Sequence, residues 1–79
     1  MNIKEYDIVV LTKDLSAIHK ENKKPILLNR GQVGTVIMEF NQKAYLIDFA
    51  DHQGHTYAME TISANKLIVL NYEPVEIYV

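Results

Sequence analysis

Leu28-Asn29-Arg30-Gly31-Gln32-Val33-Gly34-Thr35-Val36-Ile37-Met38-Glu39-Phe40 decides how this chain folds. It holds two of the three glycines and runs straight into the most strand-like segment of the protein. A polar residue followed by glycines three apart reads as a turn. Val33 to Phe40 then reads as a strand, rich in branched and large apolar side chains. Gly31 and Gly34 are assigned to turn geometry and close strand packing. A phosphate cradle does not fit them: the stretch lacks the lysine–serine ending of a phosphate loop and does not open onto a helix.

Upstream, Tyr6 to Thr12 reads as the first strand. Its consecutive Ile8-Val9-Val10-Leu11 suggests burial on both faces, or one face in the core and one against a neighbour. Lys13 to Asn29 is a long connection of the kind that is often functional in a compact domain. A short helical turn is expected over Leu15 to Lys20, with Asp14 as its N-cap. Pro25 bars a helix from continuing. Ile26-Leu27-Leu28 is expected to fold back over the barrel.

Downstream, Asn41-Gln42-Lys43 links the second strand to a third, Ala44 to Phe49. Alternation places Tyr45, Ile47 and Phe49 on one face and Asp48 on the other. Ala50 to His55, with Gly54, is a turn into a fourth strand, Thr56 to Ile62. Ser63 to Lys66 has the composition of one tight helical turn before a fifth strand, Leu67 to Leu70. Asn71 to Pro74 breaks it, and Val75 to Val79 alternates as a sixth strand would.

Five short strands, a long first loop, two hairpins and a one-turn helix before the fifth strand describe an all-β, SH3-like barrel with an extra C-terminal strand. An OB-type barrel normally needs a helix between its third and fourth strands. Ala50 to His55 is too short to hold one.

The 79 residues allow one domain, with its core over about 5–70 and an extension over 71–79. A chain this short buries only about 60–65% of its unfolded surface, which makes a closed barrel or an oligomer a natural compensation. There is no cysteine, so neither a disulfide nor a thiolate metal site is available. The net charge of −2 argues against sequence-independent binding to nucleic acid. The apolar runs fall far short of the roughly 20 residues of a bilayer span, and Met1 to Glu5 is polar. The expected location is the cytoplasm.

The motifs carry a family resemblance. Tyr6 to Leu15, then Leu28-x-x-Gly31-x-x-Gly34-Thr35-Val36, then Tyr45-x-Ile47-x-Phe49-x-Asp51-x-x-Gly54, then Leu67, together resemble the bacterial domain-of-unknown-function 4926 family over roughly residues 5 to 70. The first loop departs from that pattern by a lysine-rich insertion, and the tail Asn71 to Val79 lies beyond it. The resemblance implies a small SH3-like barrel with no assigned activity. A more distant similarity, at fold level only, is to the SH3-like accessory proteins of electron-transfer complexes such as photosystem I, and to the β-chain of nitrile hydratase. These are docking parts rather than catalysts.

Candidate chemistry is sparse. His52 and His55 flank Gly54 in the turn, but a closed metal site needs about four ligands, so a hydrated turn is the better reading. His19 with Asp14, Ser16 or Glu21 is a set of loop neighbours, not a rigid triad. No catalytic, cofactor or metal residue is assigned. Gly31-x-x-Gly34-x-Val36 is similar to the glycine turn of KOW-type SH3-like barrels, which contact RNA, and the RNA-binding candidate beside it is the lysine-rich loop with Lys13, Lys20, Lys23 and Lys24. The loop interleaves Asp14 and Glu21 and lacks stacking aromatics.

The tail carries Tyr72, Ile77 and Tyr78 in an alternating segment with three fates: pairing within its own sheet, pairing with another chain, or disorder. The expected function is non-catalytic protein binding through the Lys13 to Lys24 loop or this tail, with self-association through the C-terminal strand as one form. A small neutralising partner of a toxin–antitoxin-like or immunity pair is a specific version. The alternatives are an RNA- or ribosome-associated barrel and an accessory component of a larger enzyme or electron-transfer complex. On this reading Leu28 to Phe40 is the hinge of the fold, and the loop before it or the tail beyond it meets the partner.

Overall fold

The computed structural model describes residues 2–78. It is all-β: β1 (Ile8–Leu11), β2 (Leu15–Ile18), β3 (Pro25–Leu28), β4 (Val33–Phe40), β5 (Ala44–Ala50), β6 (Thr56–Ser63) and β7 (Leu67–Val69), with a single 3-10 turn at Ala64–Lys66 before β7. The five expected strands appear as β1, β4, β5, β6 and β7. They form one antiparallel sheet in the order β6-β5-β4-β1-β7, and β2 and β3 form a second, two-stranded sheet.

β6 and β7 are the two edges of the large sheet. The sheet therefore does not close into a hydrogen-bonded ring, which corrects the expectation of a closed barrel. The long first connection explains this. It is an antiparallel hairpin, β2–β3, that lays its own sheet over the large one and buries Ala17 and Leu28 in the common core. Lys20 N–H donates to the Tyr57 carbonyl, fastening the hairpin to β6.

Two expectations fail within the connections. Leu15 to Lys20 is not helical: Leu15–Ile18 is β2, paired with Pro25–Leu28. Leu15 and Ala17 turn inward while Ser16 and Ile18 stay exposed, a period of two rather than 3.6. Asp14 does not cap a helix; its Oδ1 accepts the Arg30 amide at 2.7 Å, tying the two ends of the long connection together. The tail forms no strand among the described residues. Pro74 lacks a ladder donor, and Tyr72, Val75, Ile77 and Tyr78 remain 85–89% exposed.

The core is one cluster. Val9 and Leu11 from β1, Val36 from β4, Tyr45, Ile47 and Phe49 from β5, Ala58 and Ile62 from β6, and Leu67 from β7 are buried on the inner face. Alternation in β5 is as expected: Asp48 faces outward, and its Oδ1 accepts the Thr56 hydroxyl at 2.8 Å. Irregularities in the ladder redirect side chains. Between Val36 and Met38 the register shifts, so Ile37 is the extra residue. Between Ala58 and Thr56 the extra residue is Tyr57, whose ring tilts against Phe49 at a centroid distance of 6.5 Å.

Candidate functional site

Three surfaces hold the features expected to bind or react. The first is the tip of the β2–β3 hairpin. Lys20, Lys23 and Lys24 lie beyond the last strand pair, Ile18–Pro25. Lys13 lies at the opposite end, before β2. A four-residue strand separates them by roughly 13 Å, so the structure does not gather the four lysines at one point. Lys23 is in the left-handed region (φ 63), and its Nζ donates to the Lys20 carbonyl at 2.7 Å. His19 Nδ1 accepts the amides of Glu21 and Asn22 at 3.2 and 3.4 Å. That nitrogen serves the turn, and Asp14 serves Arg30. The loop neighbours His19, Asp14 and Glu21 do not form a catalytic relay.

The second is the β5–β6 turn. Asp51 Oδ1 accepts the amides of Gln53 and His55 at 2.9 and 3.0 Å, and Gly54, at φ 83, completes the bend. The His55 amide above all, helped by the Gln53 amide and the nearby imidazoles, holds the Asp51 carboxyl below the usual carboxylate range. His52 and His55 are both exposed to solvent. Among the described residues no three histidine or carboxylate side chains converge as metal ligands.

The third surface is the outer face of the large sheet. Val10 of β1 pairs with Val33 of β4 on one side and with Ile68 of β7 on the other, so three branched apolar side chains stand abreast. The next row begins with Leu70, whose amide bonds the Ile8 carbonyl. Beyond the β4 bulge, Met38 and Phe40 continue the face. Val33, Met38, Phe40, Ile68 and Leu70 are 38–50% exposed. Side chains held on rigid paired strands at this spacing form a patch of the kind that marks interaction sites. Part of its signal is present in the unbroken Ile8 to Leu11 run, which is apolar on both faces; the Met38 and Phe40 contributions show only once the bulge at Ile37 is known.

The expected tail residues Tyr72, Ile77 and Tyr78 are all exposed. Tyr78 hydroxyl donates to Glu76 Oε2 at 3.1 Å. Glu76 and Tyr78 thus share one side of the extended tail, and alternation leaves Val75 and Ile77 on the other.

The turn glycines divide by role. Gly31 (φ 93) and Gly54 (φ 83) sit in left-handed turns with open space around them. Gly34 is a packing residue within β4. A link that sequence reasoning missed runs from the first of these turns to β6: Gln32 Nε2 donates to the Tyr57 hydroxyl while Gln32 Oε1 accepts the Asn29 amide. An open cleft of about 460 Å³ lies between residues 2–5 and the Glu39, Gln42 and Tyr45 end of the β4–β5 hairpin. Its walls mix the exposed Lys4, Glu5 and Glu39 with the buried Tyr45. No helix is long and apolar enough to cross a membrane among the described residues.

Neither a curated protein nor a solved structure matches the chain. The family described as Domain of unknown function (DUF4926) matches residues 5–69, which take in both sheets and leave the tail outside. The chain belongs to the DUF4926 family.

Proposed function

We propose that this chain is a non-catalytic protein-binding module, and that the outer face of β4, β1 and β7 is its docking surface. The row Ile68–Val10–Val33 carries the reading. Apolar area on rigid strands is removed from water by a partner at about 25 cal/mol per Å² and needs little ordering to bind. The titratable groups are spread over separate turns and serve the backbone, which suits binding rather than turnover. Size, a net charge of −2 and a compact body suit a finer form of this reading, the small neutralising partner of a toxin–antitoxin-like or immunity pair in the cytoplasm.

The test is affinity capture of the tagged chain from its native host, alongside a V33D/M38D variant. Both side chains are about half exposed, so the variant is expected to melt with the wild type. Wild type should recover a stoichiometric protein that the variant loses. Recovery of the same proteins by both would overturn the reading. Co-expression with the product of the adjacent gene tests the finer form, through rescue of growth that the variant fails to give.

A further inference from the structure

The two edges of the large sheet are treated differently. The β6 edge is covered: the hairpin donates Lys20 N–H to the Tyr57 carbonyl at 2.8 Å and Ile18 N–H to Glu60 Oε2 at 3.4 Å. The β7 edge is open. Apart from Leu67 N–H, which closes the 3-10 turn on the Ala64 carbonyl, the backbone hydrogen bonds from Lys66 to Leu70 among the described residues run to the β1 side. An open edge beside an apolar face is an invitation to strand addition that folded chains normally suppress with charge or cover. The β7 segment Leu67-Ile68-Val69 offers neither.

The chain also carries an alternating segment that pairs with nothing among the described residues. Residues 71–78 follow β7 exposed to solvent, with a bend at Tyr72 and Glu73, and the Tyr78–Glu76 contact with the alternation sets Val75 and Ile77 on the opposite side. They do not fold back on their own body. The radius of gyration is 13.6 Å and the extents are 54 × 29 × 20 Å, against about 11.6 Å for a compact chain of this length. At about 3.3 Å per residue, residues 74–78 would span roughly 17 Å as a strand, enough to run the length of the three-residue β7 edge.

We propose that the tail of one copy adds as a strand along the β7 edge of a second copy, and reciprocally, so that the two large sheets join. Three observations favour a second copy over a foreign strand. Both halves of the contact, an open edge and an unpaired alternating segment, lie on one chain and adjoin each other, which is what an isologous two-fold contact requires. The charges match: the tail carries Glu73 and Glu76, while Lys66 immediately precedes β7. Thr12 N–H bonds the Lys66 carbonyl, which brings Lys13 to the same end of the edge. The Val75–Ile77 side then extends the apolar row headed by Ile68. Main-chain pairing supplies the affinity and the alternate side chains the specificity. The inference shares Ile68 with the proposed docking face, but the tail residues Val75 and Ile77 lie outside that face, so V75D/I77D tests it separately from the binding reading.

The experiment is sedimentation equilibrium of the full chain over roughly 1 μM to 1 mM, the span in which small interfaces associate. The wild type is expected to rise toward twice its 9.1 kDa. V75D/I77D, altered only in the exposed tail, should stay at the mass of one chain with an unchanged melting temperature. I68D, which sets a carboxylate on the edge against the incoming glutamates, should do the same. A wild type that remains a monomer at every concentration overturns the proposal. So does an I68D chain that dimerises like the wild type, since tail would then be meeting tail. A monomer that still captures a host protein overturns this inference alone; a dimer that captures none overturns only the binding reading.

Discussion

Gly34 lies against Phe49 across the inner face of the sheet, so closely that a Cβ at position 34 would come within 3.0 Å of the Phe49 ring. It would stand 3.1 Å from the Asp48 carbonyl and nearer still to Ile47 Cγ2. Ile47 and Phe49 are both fully buried, so neither side chain can swing into solvent to make room. The missing side chain is a requirement of packing, not of backbone conformation. G34V is expected to cost about 3 kcal/mol by overpacking, which for a domain of this size lowers Tm by about 12–24 °C. G31A, where nothing lies within 4 Å but φ is 93, is expected to cost only about 1 kcal/mol of backbone strain. Thermal denaturation of both variants checks the division. Equal losses at the two positions would contradict it.

The Gln32–Tyr57 contact joins the end of the long connection to the bulge of β6. Gln32 is held from behind by the Asn29 amide, so its side chain is positioned before it donates. Y57F keeps the ring against Phe49 and removes only the acceptor. The expected loss is about 0.5–1.5 kcal/mol, the net worth of a partly buried neutral hydrogen bond. Q32A should cost a similar amount, and the double variant little more than either one, since the two side chains act on each other. Urea unfolding of the four chains measures it. Additive losses would show that the pair is not coupled.

The β4–β5 turn places a side chain where glycine is favoured. Asn41 and Gln42 have φ of 54 and 59, and Lys43 N–H returns to the Phe40 carbonyl at 3.1 Å. Left-handed backbone at both central positions is the type I′ hairpin turn, for which Asn-Gly is the preferred pair. Asn41 suits its position and Gln42 does not. Q42G relieves about 1–2 kcal/mol of local strain and gives back part of it, about 0.4–1 kcal/mol, through the freer unfolded chain. A rise in Tm of a few degrees is expected by calorimetry, and a fall would show that the Gln42 side chain holds the turn.

Much of this architecture is written in local pattern. The β4 bounds, Val33 to Phe40, follow from a turn and a run of branched residues, and the Tyr45-Ile47-Phe49 alternation sets the core face of β5. The failures share a cause. Leu15 to Ile18 is four residues long, and Asp14 before it mimics an N-cap. Only its distant partner Pro25–Leu28 decides that it is a strand, and single-segment pattern does not contain that pairing. The tail fails for the complementary reason. Val75 to Val79 alternates as a strand should, but alternation describes only a segment ready to pair, and the segment itself does not encode which edge it meets. The outer apolar face is half visible in Ile8 to Leu11. Its extent depends on the bulge at Ile37, which reverses the facing of everything after it in β4.

Asp51 makes the β5–β6 turn sensitive to acid. Its carboxyl is held below the usual range by the His55 amide first and the Gln53 amide next. A carboxyl with a depressed pKa in the folded chain contributes stability that is present above its unfolded value of about 3.9 and lost as pH falls through the lower folded value. The turn is therefore expected to hold unchanged from neutral pH down to about pH 4 and to loosen below it. Side-chain carboxyl titration by NMR should show Asp51 titrating below the ordinary aspartate range, with the amide shifts of Gln53 and His55 moving on the same curve. D51N, which keeps an acceptor but no charge, should retain the turn and abolish that pH dependence. An Asp51 midpoint at or above the ordinary carboxylate value would refute the assignment.

The hairpin tip tests whether charge alone makes a binding site. Lys20, Lys23 and Lys24 sit together past the last β2–β3 pair, but Lys23 spends its ammonium on the Lys20 carbonyl and Glu21 stands among them. Lys13 is at the other end of the hairpin, and the whole chain is net acidic. Phosphate binding grows with the number of phosphates neutralised and is strongest at low salt. Three lysines with an interleaved carboxylate and no stacking aromatic give too few contacts to hold an acidic chain on a polyanion. The protein is expected to flow through a heparin column at about 50 mM salt, and a K20E/K24E variant to behave identically. Retention that the variant abolishes would move the binding surface from the sheet face to the hairpin tip, and would make nucleic acid rather than protein the partner to pursue.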